Sequence, residues 1–275
     1  MQQVRRAAVA GQWYPGTGAR LADAVEQHLA LADVGIPDAE HLRAIVAPHA
    51  GLMYSGPVAA YAYKAAQRGR YRSIVLVGPS HYVPFRGVSI WPDGSWETPF
   101  GAVLVDRELA AAIREGNPEI TDIPDAHERE HSLEMQLPFV AHLMQDVPIV
   151  PLVMGHQTRK TAMALGETLA RAVAPRGDDV LLVASSDLSH YEDATTAAAL
   201  DGVVTERVEA LDAEGLMAAL EREPRHACGG GPMVAVLHAA RRLGATHARV
   251  LRYADSGDVS GDKSSVVGYM AAAIW

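Results

Sequence analysis

The chain has 275 residues, 49% of them hydrophobic, with 24 basic against 33 acidic side chains and a formal net charge of −9. That length supports one large domain or two small ones, and scattered basic residues under a net negative charge exclude the electrostatic footprint of a nucleic-acid binder. No apolar segment approaches the ~20 residues that cross a bilayer. The opening MQQVRRAAVAGQWYPG carries no sustained apolar run, so no signal peptide is read. With Cys228 as its single cysteine no internal disulfide can form, and a cytoplasmic location is expected.

In chain order, a helix is predicted over 18–32, then a strand in RAIVAP from Arg43 that runs into His49-Ala-Gly. A helix over 57–67 precedes the strand SIVLVG from Ser73, which runs into Pro79-Ser80-His81. The segment VSIWPDGSWETPFGAVLVD alternates turn residues with short extended pieces and reads as a β-hairpin excursion. Helices over 107–115 and 132–145 lead to the strand IVPLVMG from Ile149, followed by His156. After a helix over 158–174 comes VLLVAS from Val180, followed by Ser186-Asp187-Leu188-Ser189-His190. Helices over 195–211 and 231–243 precede the last strands, RVLRYA from Arg249 and SVVGYMAAAI from Ser265. Near-continuous apolar strands alternating with helices imply an α/β fold. Its central, mainly parallel or mixed sheet is expected to be covered by helices on both faces. With no linker and no repeat, one domain over 1–275 is expected.

Ligands of open α/β sheets bind beyond the carboxyl ends of the strands. His49, His81, Asp187 and His190 all follow strands, so they point to a shared site, while His156 reads as a loop residue. Cys228 lies in HACGGGPMVAVLHAARRLG, just before a predicted helix start, where a thiol loses its proton more easily. It reads as a metal ligand or nucleophile, as part of an anion pocket made by the glycines, or as a plain buried cysteine. Two imidazoles and an anionic group, from Asp187 or Cys228, have the logic of a facial triad for Fe(II). Imidazole with thiolate suits zinc or copper as well. His190 has the chemistry of an acid/base group.

The stretch HEREH, His127 to His131, fits the H-E-x-x-H pattern of zinc hydrolases, which needs a long helix. Pro124 and Pro138 close the segment in, so a zinc hydrolase is a remote alternative.

In order, AGQWYPG, APHAGLMYSG, GPSHYVPF, EHSLEMQLP, SSDLSHY, CGGGP and YADSGDVSGDKSSVVGYMA resemble the MEMO1 family, also called AmmeMemoRadiSam system protein B. The resemblance runs from about residue 10 to the end of the chain. It implies a fold similar to the LigB-type, class III extradiol dioxygenases, which use non-haem Fe(II). By that likeness His49 and His81 are metal ligands, and Asp187 and His190 occupy outer or acid/base positions of the pocket. Cys228 stands where the dioxygenases place a glutamate ligand. Thiolate is softer than carboxylate and more easily oxidised, so metal binding follows from the likeness and ring cleavage does not. His131 and Glu134 belong to the shared segment and are expected to line or buttress the pocket, whereas His127 lies outside it. Trp13 and Tyr54 are further candidates for the pocket wall. The implied function is a dioxygenase-like, iron-dependent oxidoreductase acting on a small, aromatic substrate, with Fe(II) as cofactor and Cu or Zn also suited. The alternative is a non-catalytic binding or adaptor module with a vestigial pocket. AMMECR1-like and radical-SAM proteins are the partners the family name implies.

Overall fold

A computed structural model describes residues 3–35 and 41–275. Its strands are β1 (Val4–Arg5), β2 (Ala44–Ala47), β3 (Ser73–Pro79), β4 (Val88–Ile90), β5 (Ser95–Thr98), β6 (Gly101–Leu104), β7 (Ile120–Thr121), β8 (Ile149–Met154), β9 (Val180–Ser185), β10 (His190–Glu192), β11 (Ala248–Asp255) and β12 (Val266–Ile274). The helices are α1 (Gly18–Leu31), α2 (Leu52–Ala66), α3 (Arg107–Glu115), α4 (Asp125–Glu128), α5 (Leu137–Leu143), α6 (Arg159–Val173), α7 (Ala194–Glu209), α8 (Ala213–Arg222), α9 (Gly230–Arg242) and α10 (Gly257–Ser260).

Among the described residues, nine strands form one mixed sheet in the order β10-β12-β2-β9-β3-β8-β4-β7, with β11 also paired to β12. At its centre β2, β9, β3 and β8 run parallel, and every residue of these four is buried. Successive strand residues face opposite sides, so this burial means that both faces are covered, as unbroken apolar runs require. Helix α2 packs on β2, β11 and β12, and α9 packs on β2, β3 and β9, with α6 and α8 against α9. Ala47 of β2 pairs with Ser185 of β9, and Val77 of β3 with Ala184. That register brings the carboxyl ends of three strands to one level, and the residues that follow them to one edge. No helix among the described residues is long and apolar enough to cross a membrane.

Beyond short added elements of two to four residues (β1, β7, β10, α4 and α10), the expected elements differ from the structure in four main places. Helix α2 begins at Leu52, not at Pro57, because the Leu52 N–H donates to the Trp13 carbonyl at 2.8 Å and starts the helix early. The 132–145 helix opens as a 3-10 turn, Glu134–Gln136, before α5. Pro138 then falls in the first turn of α5, where a missing N–H costs nothing. Helix α8 was not expected: Leu211 turns the chain at φ +51°, and the Asp212 carboxylate caps the new helix by accepting from Gly215 N at 2.8 Å. The hairpin exists as β5–β6, but it forms a separate sheet with β1, whereas β4 joins the main sheet antiparallel to β8.

Glu134, expected to line or buttress the pocket, is fully buried and can only buttress it. Its carboxylate pairs with Arg5, accepts from Ala8 N at 2.8 Å and Val9 N at 3.0 Å, and accepts from the Tyr14 hydroxyl at 2.7 Å. Arg5 is itself buried, over the Trp96 ring at 4.5 Å, and donates to the carbonyls of His127 and Glu130. The pair thus straps the N-terminal segment to the loop that carries His131. All acceptor positions of the carboxylate are used inside the protein, which leaves it nothing to offer a substrate. Removing one partner of such a buried pair leaves an uncompensated charge, which costs about 3–5 kcal/mol. Glu134→Gln is therefore expected to lower unfolding stability in urea by about that amount; a loss under about 1 kcal/mol would contradict the strap.

Candidate metal centre

His49 emerges two residues after β2, His81 two residues after β3, and His131 from the loop before α5. The structure brings one ring nitrogen from each to within 4.8 Å of the others, a set that could hold a metal ion. The ring centroids lie 5.2 Å apart for His49–His81, 5.6 Å for His49–His131 and 4.4 Å for His81–His131. His49 and His131 are buried and His81 is partly exposed.

Hydrogen-bond partners fix which nitrogen of the His49 ring carries the proton and which side of His81 donates. The Ser185 hydroxyl has one proton and donates it to the Ser132 carbonyl at 2.6 Å. It accepts from Gln136 Nε2 at 2.8 Å, so His49 Nδ1, at 2.9 Å, meets only a remaining lone pair and must be the donor. His49 Nε2 is then left with its lone pair. His81 donates from Nδ1 to the Glu130 carboxylate at 2.8 Å, which leaves Nε2 as its nitrogen for the site. His131 Nδ1 lies 3.3 Å from the Tyr82 hydroxyl. An imidazole held through one nitrogen by a protein partner, with the other free, is the form in which histidine binds metals.

The local electrostatics hold His49 and His131 neutral. Burial, reinforced by His81, holds the His49 pKa well below its ordinary value, with His190 pushing the same way. Burial brings His131 down to about 3, with His49 and His81 adding to the shift. Burial alone would raise the Glu130 carboxyl, but the His81 ring and the backbone N–H groups of His81 and Ser132 outweigh it and bring it to about 2. His49 and His131 are therefore ready to ligate without first losing a proton.

Cys228 stands at the edge of this set, with Sγ 3.2 Å from His49 Nε2. Bonds of ~2.0–2.1 Å to nitrogen and ~2.3 Å to sulfur put two donors on one ion roughly 3–3.6 Å apart, so the pair fits a shared ion. The expectation that this thiol ionises easily is corrected. It lies ahead of the Gly229 cap of α9, and burial, then the Asp187 carboxylate, raises its pKa. In the absence of an ion the S–H donates to His49; an ion at the site reverses this by taking the thiolate directly. The glycines that follow serve close approach: a Cβ on Gly229 would stand 2.4 Å from the Ser185 carbonyl oxygen.

Asp187 and His190 both lie beside the cluster but act differently. Asp187 Oδ1 accepts from the His49 N–H at 2.7 Å, and burial raises its pKa. It bolts the end of β9 to the end of β2. His190 Nδ1 donates to the Leu188 carbonyl at 2.8 Å, which leaves Nε2 to accept a proton. Trp13 lies over the site, its ring 4.4 Å from that of His131. Tyr54 stands in the first turn of α2, half-buried against the core. His156 is exposed elsewhere, in a recess with Arg86, Glu119 and Lys160. The H-E-x-x-H match dissolves: α4 ends at Glu128, and His127 turns into a box of Trp91 and Trp96 with Nε2 2.9 Å from Ser89 Oγ. A wide recess with Arg72, Asp106 and Arg176 lies at the amino ends of the strands, remote from the histidines. Four contributors had no sequence signal of their own. Glu130, Ser185, Gln136 and Tyr82 each matter through a partner roughly 49 or more positions away, as in Glu130 with His81, Ser185 with Gln136, and Tyr82 with His131.

A family model described as Memo-like protein matches residues 5–273. A MEMO1 family protein of Methanothermobacter thermautotrophicus is 41% identical over 97% of this chain and 98% of its own. One of Sulfolobus acidocaldarius is 40% identical over 98% of each. A crystal structure of a protein of Escherichia coli K12 matches the fold with a TM-score of 0.51 at 18% identity, covering 73% of this chain and 86% of that one.

Glu130 is the anchor whose removal tests the centre most cleanly, since it holds both the ring and the backbone N–H of His81. Glu130→Gln is expected to weaken zinc binding in calorimetric titration about 10–100-fold, whereas His127→Gln is expected to leave it unchanged. Equal affinity in wild type and Glu130→Gln would contradict the assignment of His81 as a ligand.

Proposed function

We propose a function from this premise: the chain belongs to the Memo-like family of MEMO1 proteins. The protein binds a metal ion between His49, His81 and Cys228 and acts as a redox, dioxygenase-like enzyme on a small substrate. The observation that carries this is the position of His49 Nε2, whose unprotonated lone pair meets Cys228 Sγ at 3.2 Å and which shares a 4.8 Å set with His81 and His131. Two neutral imidazoles and one thiolate suit ferrous iron, and copper or zinc meets the same donors. A ferrous ion held by these residues would supply the electrons for oxygen chemistry.

The protein's own residues supply the rest. His49 is held by Ser185 and Asp187, and His81 by Glu130, so both rings are set before an ion arrives. His190 Nε2 accepts a proton from a bound substrate hydroxyl, since its Nδ1 proton is committed to Leu188. Trp13 and the half-exposed Tyr82 flank His131 at the mouth and match an aromatic substrate by stacking.

A second reading has its own support. The mutually close nitrogens belong to His49, His81 and His131, so the three histidines can serve as the ligands with Cys228 beside them. Anaerobic metal analysis of the purified protein and three variants separates the two. The proposal expects His49→Ala and Cys228→Ser each to lose most bound iron or copper and His131→Ala to keep it. The three-histidine reading expects the reverse for the last two variants. Unchanged metal in both His49→Ala and Cys228→Ser overturns the proposal. Oxygen uptake across a panel of catechols tests turnover: none with any catechol at full metal loading transfers the pocket to a binding or adaptor role.

A further inference from the structure

The loop that carries Cys228 is held from a side of the molecule that supplies no ligand. Gln157, three residues beyond β8, uses both ends of its amide on that loop. Nε2 donates to the Cys228 carbonyl at 2.7 Å, and Oε1 accepts from the Gly231 N–H at 2.7 Å. The two bonds bracket the turn from the cysteine to the start of α9. The fit is close enough to exclude a side chain, because a Cβ on Gly231 would stand 2.6 Å from Met154 Sδ and 2.9 Å from Gln157 Cβ. On the opposite side the Cys228 N–H donates to the Asp187 carbonyl at 3.2 Å and the Gly229 N–H to Ser186 Oγ at 2.9 Å. The peptide groups around the cysteine are therefore fixed on two flanks, by the end of β9 and by Gln157.

Among the described residues, only the Gln157 flank reaches the carbonyl of Cys228. Without it the carbonyl and the Gly231 N–H lose their partners, and the turn is held on the β9 flank alone, by Asp187 and Ser186, so the sulfur is held less firmly beside His49. A backbone bracket of this kind sets where Sγ stands without touching sulfur or ion. We infer that Gln157 is a positioning residue for the Cys228 sulfur, holding it within bonding reach of an ion on His49. The inference rests on the reading of Cys228 as a ligand, and its test keeps the two apart.

The test uses the full chain and two probes. Gln157→Met keeps the side-chain volume and removes both hydrogen bonds; His156→Ala, an exposed neighbour, is the control, and Cys228→Ser is the reference for a missing sulfur. Anaerobic cobalt(II) titration reads the thiolate-to-cobalt charge-transfer band and the affinity. Alkylation of the metal-free chain by iodoacetamide reads how firmly the sulfur is held, at the only cysteine in the sequence. Wild type and His156→Ala are expected to show the band, and Gln157→Met to lose most of it, with affinity about 10–100-fold weaker. Gln157→Met is also expected to be alkylated on the order of tenfold faster, which corresponds to about one net hydrogen bond lost from the closed loop. An unchanged band and alkylation rate in a folded Gln157→Met chain would overturn the inference. Faster alkylation of Gln157→Met alongside a wild type that lacks the band supports the bracket and refutes Cys228 as a ligand.

Discussion

One hydroxyl proton governs the centre. Ser185 spends it on the Ser132 carbonyl, so the hydroxyl can only accept from its remaining neighbours, the Gln136 amide and the His49 ring. His49 must then present an unprotonated Nε2 to the pocket. Nothing else about the ring is free: its backbone N–H is taken by Asp187, and burial among other imidazoles denies it a charge. A residue of the sheet interior thus decides the chemistry of a residue beyond the sheet's edge.

The rest of the fold can be understood as what makes that arrangement affordable. Ser185 is the last residue of β9 and faces Ala47 of β2 across a parallel ladder, so the hydroxyl and the His49 ring meet by register alone. Gln136 and Ser132 come from the segment between α4 and α5, which the Arg5–Glu134 pair clamps to the N-terminal strap. The same strap carries Trp13 over His131 and starts α2 through the Trp13 carbonyl. A buried ion pair is seldom worth much to net stability; here it joins segments 129 positions apart and fixes the wall of the site.

How much of this was legible depended on whether a residue's role is local. Apolar runs bounded by turn residues located the strands, and from them His49, His81, Asp187 and His190 fell on one edge. The partners that orient these groups were not legible, because Ser185, Gln136, Glu130 and Tyr82 are ordinary polar residues until folding sets them opposite a histidine. Glu134 shows the converse. Its place in a motif near His131 suggested the pocket, while the deciding facts were Arg5 and the N–H groups of Ala8 and Val9, more than a hundred positions away. Cys228 was read from its place near a helix start, and burial reversed the direction of its acidity.

The central claim is that an ion sits on the Nε2 side of His49, and anomalous diffraction from crystals grown anaerobically with ferrous iron tests it most directly. The account predicts an iron peak within bonding distance of Nε2 of both His49 and His81, with His49 Nδ1 still on Ser185. Iron bound elsewhere, or held by His49 through Nδ1 with the Ser185 contact broken, would contradict it.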